Sequence, residues 1–204
     1  MALPWQEVHV DTVGPWLVNK RGIKRSYEAL TMIDPVTNLL ELRLIPEKNG
    51  VQCARALDHG WLSRYPKPVI CRHDSGPEFK NQEFDGVLVR AGIQNNPVGT
   101  GNPQSNAIIE QVHKTVALVI QISVQTKPFR SAAEMDALVE DAIHTAMRST
   151  RAAAHHSLDN ISPGALVFHR DMNLDIPLTA DLLTLQELRQ QQIDDRLLKA
   201  NAIR

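Results

Sequence analysis

EVHVDT, from Glu7 to Thr12, alternates in character, with Val8 and Val10 on one side and His9 and Asp11 on the other. A period of two belongs to a strand with one face buried, so the stretch predicts a β-strand with Asp11 at its C-terminal end. Working outward, Gly14 and Pro15 break the pattern, a basic turn follows, and Tyr27 to Ile33 predicts a second strand. The turn Asp34, Pro35, Val36, Thr37, Asn38 leads to a third, Leu39 to Ile45, where Leu40, Leu42 and Leu44 stand opposite Glu41 and Arg43. The opening unit is a three-strand meander.

The period then changes. Cys53, Ala54, Leu57 and Trp61 recur at helical spacing between Val51 and Tyr65, until Pro66 and Pro68 stop the helix. Val69 to His73 predicts a short apolar strand that delivers Asp74. The strand-helix-strand order favours parallel pairing with an earlier strand, which puts Asp11 and Asp74 on one edge of the sheet. Asn81 to Ala91 predicts a short helix and Ile93 to Val98 a last strand. After the loop Gly99 to Pro103, a long helix runs from Gln104 to about Thr126 with Ile109, Val112, Val116, Val119 and Ile120 along one stripe. Ala132 to Ala154 is a further helical stretch. Beyond a turn at Ser162, Pro163 and Gly164, Leu182, Leu185, Leu188, Ile193 and Leu197 mark an amphipathic arm in the tail.

Composition narrows the function. The chain has 204 residues, 43% hydrophobic and 22% charged, which suits one globular domain and excludes a disordered or collagen-like chain. The expected division is a compact domain over residues 1–170 and a C-terminal tail with its helix over 171–204. No window approaches eighteen apolar residues and the start MALPWQEVHV lacks a signal-peptide pattern, so neither a membrane partner nor export is expected. Lys plus Arg is 22 against 23 for Asp plus Glu, a net charge of -1, so any contact with nucleic acid must be local. Cys53 and Cys71 form no CxxC to pair with the histidines, and no zinc site is expected; both read as buried, reduced small hydrophobes. His155 and His156 have no partner at ligand spacing.

Asp11 follows the first strand, Asp74 the fourth, and Glu110 lies in the first half of the long helix, with 35 residues between the last two. Gathered carboxylates repel one another unless a cation neutralises them, and hard oxygen donors select Mg²⁺ or Mn²⁺. Two such ions would clamp the attacking and leaving oxygens of an in-line phosphoryl displacement. For any one acid alone, a loop or helix-face position is the plainer reading; the three together favour the metal site.

The strings WQEVHVDTVGPW (Trp5 to Trp16), RYPKPVICRHDSGPEF (Arg64 to Phe79) and NPQSNAIIEQVH (Asn102 to His113) resemble the three catalytic blocks of Gypsy-type LTR-retrotransposon integrases, and the spacing resembles their D, D, 35, E pattern. IDPVTNLLELRLIP (Ile33 to Pro46) and HHSLDNISPGALVFHRDM (His155 to Met172) extend the resemblance over most of the chain. It implies an α/β, RNase H-like fold: a mixed five-stranded sheet, a three-strand meander then parallel strands, flanked by helices. It further implies a DDE polynucleotidyl transferase that processes 3′ ends of element DNA and joins them to a target duplex. Asp11, Asp74 and Glu110 would bind two divalent ions, Mg²⁺ or Mn²⁺, with Asp11 bridging both. A homo-oligomer and a nuclear location are implied as well. The zinc module and the basic C-terminal domain that flank such cores are absent from this sequence, so an excised core, a polyprotein piece or a decayed element is expected.

Around Glu110, Lys114 is placed for a DNA phosphate or for an i, i+4 ion pair with Glu110, and His113 lies beside the same face. Gln104 and Asn106 suit a DNA end or a helix cap. Lys20, Arg21, Lys24 and Arg25 suit a solvated hairpin loop better than phosphate contact. His9 reads as a satisfied polar neighbour, and Trp5, Trp16 and Trp61 as packing. The competing function is a catalytically inactive or domesticated integrase-derived module that binds nucleic acid or protein; an RNase H-type nuclease shares the chemistry but not the Asp74 to Glu110 spacing.

Overall fold

The computed structural model describes residues 3–97, 103–154, 158, 161–168 and 172, with the backbone alone for 103–109 and for 111. The chain divides into two compact units, Met1–Val36 with Leu40–Met147, and Thr37–Leu39 with Arg148–Arg204.

The first unit is built on a five-stranded sheet in the order β3-β2-β1-β4-β5. The meander is β1 (Glu7–Lys20), β2 (Ile23–Ile33) and β3 (Leu40–Ile45), antiparallel throughout. β4 (Ile70–His73) pairs parallel with β1, and β5 (Gln94–Pro97) parallel with β4. The first strand is longer than the sequence suggests. Gly14 and Pro15 do not end it; the register with β2 shifts between Val13 and Trp16, and pairing resumes down to Lys20. Gly14, at φ +118, has no room for a Cβ, which would lie 2.7 Å from the Tyr27 carbonyl oxygen. The basic hairpin loop contracts to Arg21 and Gly22, both at positive φ (54° and 78°), the requirement of a tight two-residue turn.

Helices cover both faces. α1 (Gly50–Leu57) starts at Asn49, whose side chain accepts from the Gln52 amide, and runs on into a single π-helical turn, Asp58–Leu62. α2 (Gln82–Ala91) is capped by Asn81 at its start and by Gly92, at φ +64, at its end. α3 (Pro103–Thr126) stops before Pro128, and Ser131 opens α4 (Ala132–Ala152) by accepting from the Glu134 amide. Alternation along the strands sends Val8, Val10, Leu30, Met32, Ile45 and Cys71 to the side of α1 and α2, where they meet Leu57, Trp61, Phe79, Phe84 and Leu88. The opposite side, with Val13, Val18, Tyr27, Ala29, Leu40 and Leu42, is covered by Val112, Val116 and Ile120 of α3 and by Met135, Val139 and Ile143 of α4. At roughly 25 cal/mol per Å² these two layers are the main stabilising term. Cys53 and Cys71 are free, buried thiols, pushed up to about 12 by burial.

In the second unit the segment read as a turn forms a short helix, α5 (Pro163–Phe168). Proline suits the first helical position, and Ser162 Oγ accepts from the Ala165 amide at 3.2 Å, so the residues that suggested a break start a helix instead. Leu158, Ile161, Ala165 and Leu166 pack together there. His155, His156 and the tail arm with Leu182, Leu185 and Leu188 lie outside the described residues. No helix among the described residues is long and apolar enough to cross a membrane.

Candidate active site

The parallel register pairs Val8 with Cys71, His9 with Arg72 and Val10 with His73. Asp11 is the next residue of β1, which runs on to Lys20 and so does not end at Asp11 as the sequence suggests, and Asp74 is the first residue past β4, on neighbouring backbones about 4.8 Å apart. Because Val10 and Cys71 belong to the core under α1 and α2, the pleat turns Asp11 toward the α3 side and carries Asp74 the same way. Asp11 is half-buried and Asp74 exposed.

α3 is fastened to the sheet at this level. His113, half-buried, places Nε2 3.0 Å from Thr31 Oγ1, and Thr31 is the cross-strand partner of Asp11. Burial lowers the His113 pKa to about 4, so the ring is neutral at ordinary pH. This ring nitrogen meets the sheet; the sequence offered His113, with Gln104, Asn106 and Lys114, as a DNA-contact residue. Glu110 lies one turn before His113 and is exposed, as is Lys114. Gln104 and Asn106 fall on α3, with side chains outside the described residues.

Each strand carrying an acid is braced. Arg72 donates to both carboxylate oxygens of Glu7, at 2.5 and 3.0 Å, and thereby ties β4 to β1 below the acids. His9 is buried beside the same Glu7, its Nε2 3.4 Å from Oε2, and burial lowers its pKa. His73, also buried, packs on Phe79 and Phe84, and its ring nitrogens face the Asp74 carbonyl and, at 2.6 Å, Asn95 Oδ1. Asn95 in turn donates to Asp85 at 2.5 Å. Asp74 Oδ1 accepts from the Gly76 amide at 3.0 Å, which shapes the DSGP turn.

Sequence reasoning missed one group. Glu78 is 3% exposed. Its Oε1 accepts from Lys48 Nζ at 2.9 Å and from Thr12 Oγ1 at 3.1 Å, while Oε2 is buried with no hydrogen-bond partner among the described residues. The carboxylate lies so close to Gly76 that a Cβ there would come within 2.7 Å of it. Glu78 was quoted inside its block, but nothing in the spacing links it to Lys48 thirty residues earlier.

The electrostatics follow from this crowding. Burial pushes the Asp11 carboxyl up to about 6; the Thr12 amide, donating at 2.7 Å, and Lys48 work against the shift, and Asp74 and Glu78 add to it. Two hard carboxylates on neighbouring backbones, Asp11 within β1 and Asp74 just past β4, one of them reluctant to carry its charge, suit a divalent cation in donor chemistry and in uncompensated charge. Among the described residues no three acidic, histidine or cysteine side chains are gathered closely enough to hold an ion.

The basic hairpin bonds to the end of α3 and the loop after it. Lys20 Nζ donates to the carbonyls of Val124 and Gln125 at 2.6 and 3.0 Å, and Arg21 Nη1 to that of Phe129 at 2.8 Å, with both cations 5.8–5.9 Å from the Phe129 ring centre. Lys20 caps the negative end of α3, and Arg21 ties the hairpin to the loop that follows it. Arg25 reaches Asp136 of α4 at 3.5 Å.

No family model matches the chain. Among solved structures it is similar to the catalytic core domain of BIV integrase, with 18% identity and a TM-score of 0.61, covering 81% of this chain and 95% of that one. The HTLV-2 integrase catalytic core domain in complex with magnesium, in its trimeric form, aligns at 14% identity and a TM-score of 0.60 over 79% and 95%. A chain of the simian T-cell lymphotropic virus intasome gives 14%, 0.65, and coverage of 88% and 60%. The mixed sheet, its order and its flanking helices are those of these proteins, and the chain therefore has the RNase H-like fold of retroviral integrase catalytic cores.

Proposed function

We propose that this chain is the catalytic core of a Gypsy-type LTR-retrotransposon integrase, a DDE polynucleotidyl transferase acting on element DNA ends and a target duplex. The observation that carries the reading is the register Val10 to His73, which sets Asp11, within β1, beside Asp74, just past the end of the parallel strand β4, on the side of the sheet that α3 covers. The HTLV-2 core in complex with magnesium and the intasome support the choice of ion and of DNA, and the dimeric and trimeric HTLV-2 cores support self-association.

Asp11, Asp74 and Glu110 would hold two Mg²⁺ or Mn²⁺ ions, which when bound activate the attacking oxygen and stabilise the leaving 3′-oxygen. Asp11 would serve as a ligand in its ionised form. Thr12 orients Asp11 through its amide, Gly76 orients Asp74, and His113 holds α3, the helix that bears Glu110, to the sheet. Lys114, exposed one turn beyond Glu110, takes a DNA phosphate, and Gln104 and Asn106 meet the DNA end.

The purified chain should resolve a branched DNA mimic of the joined product with Mn²⁺ and not with EDTA, and Asp74→Asn and Glu110→Gln should each lose at least a hundredfold. Metal-independent binding without any strand joining would instead identify an inactive, domesticated module.

A further inference from the structure

Behind Asp11, on the opposite side of β1, stands a charge pair that the three-acid scheme leaves unused. Lys48 follows β3 and is half exposed, whereas the Glu78 side chain it meets is 2% exposed, so the carboxylate is fixed and the ammonium reaches it from solvent. Glu78 spends one oxygen on Lys48 and Thr12 and leaves the other buried with no hydrogen-bond partner among the described residues. A buried carboxylate half satisfied is costly, and removing its single counter-charge would be costlier. Gly76 is what lets the carboxylate in, and the same glycine's amide binds Asp74. Thr12 completes the link, with its hydroxyl on Glu78 and its amide on Asp11. One carboxylate therefore touches the residue next to Asp11 and the turn that shapes Asp74.

We propose that Glu78 is a positioning residue for both Asp11 and Asp74 and that Lys48 is their resident counter-ion, so that the opposed charges of this pair set how tightly the site takes a divalent cation. The inference rests on the metal-dependent reading above. Lys48 supplies one positive charge that keeps the metal-free cleft together and competes with the incoming ion. Glu78 contributes one negative charge that favours the ion and pins β1 against the DSGP turn.

The test is a Mn²⁺ titration of the full 204-residue chain by calorimetry, with metal-induced thermal shift as a second readout. Lys48→Met should tighten Mn²⁺ binding about fivefold and Glu78→Gln should weaken it about fivefold, the scale for one unit charge acting on a divalent ion at solvent-like dielectric. The double variant should return to within about twofold of the wild type. The metal-free Lys48→Met protein should melt lower and recover more on adding Mn²⁺ than the wild type does. A pair that merely braces the fold would weaken metal binding in both variants, and that result overturns the proposal while leaving the metal reading intact. If Lys48→Met fails to fold, Lys48→Arg, which keeps the charge, must match the wild-type affinity, and Glu78→Gln alone must weaken binding. No Mn²⁺ response in the wild type, with Asp11→Asn equally silent, removes the metal reading and this proposal together.

Discussion

Replacing Asp11 by Asn should stabilise the metal-free protein, and only at neutral pH. The Asp11 carboxyl moves from an ordinary 3.8 to about 6 because burial, and then Asp74 and Glu78, disfavour its charge. Between those two values the folded chain keeps a proton that the unfolded chain has released, so stability falls as pH rises through the window and the penalty is complete above about 6. At about 1.4 kcal/mol for each tenfold change in proton affinity, the penalty is roughly 3 kcal/mol, an upper bound because water relaxes around a group at the cleft. Asparagine keeps the oxygen that accepts the Thr12 amide and never ionises. It should recover roughly 1–3 kcal/mol, or about 3–8 °C in Tm for a chain of this size. Thermal melts of both proteins in EDTA, at steps from pH 4 to pH 8, provide the assay. The gain should vanish near pH 4 and reach its plateau above pH 6.5. A gain that is the same at both ends, or an Asn variant that melts lower at pH 7.5, would refute the argument that Asp11 is held against its charge.

Lys20→Met should lose about 1–2 kcal/mol of stability through the uncapped end of α3, measured by urea unfolding. Lys114→Ala, in contrast, should leave the melt unchanged within about 0.5 kcal/mol and lower DNA joining more than Lys20→Met does once both are compared at equal folded fraction. His113 is neutral when folded, so lowering pH from about 6.5 toward 4 should destabilise the protein as the unfolded ring takes a proton, and His113→Gln should flatten that part of the pH profile. Gly76→Ala forces a Cβ within 2.7 Å of the Glu78 carboxylate and should cost roughly 1–3 kcal/mol together with a loss of Mn²⁺ binding.

The helices were legible because each buries one face, and the strands because their residues alternate in character, although helices cover both sides of the sheet and His9, read on the polar side of β1, is buried. Val8 and Val10 against His9 and Asp11 gave the orientation of β1, and the strand-helix-strand order gave its parallel partner. The places where reading failed share a cause. Gly14 and Pro15 look like a strand end, yet β2 pairs on both sides of them and absorbs the irregularity as a register shift. Ser162, Pro163 and Gly164 look like a turn, yet serine cap and proline start are also how a helix begins. Lys20 and Arg21 look like idle surface charge until the end of α3, more than a hundred residues later, arrives beside them. Lys48, Thr12 and Glu78 come from three separate stretches. Pairings of this kind leave no local pattern, because a single long-range contact has no period to repeat.

The bidentate bond between Glu7 and Arg72 spans 65 residues of chain, and the β1–β4 pairing that it seals is equally remote in sequence. A hairpin such as β1–β2 closes over a two-residue turn and forms in microseconds; a parallel pair must first bear the entropy of closing a long loop. During synthesis the meander therefore emerges with Asp11 in place and nothing beside it, and the chemistry comes into being only when β4 slots into the far side of β1. The pairing of Asp11 with Asp74 is then a late event, and a chain interrupted before Ile70 would hold a well-paired hairpin with no strand on the far side of β1.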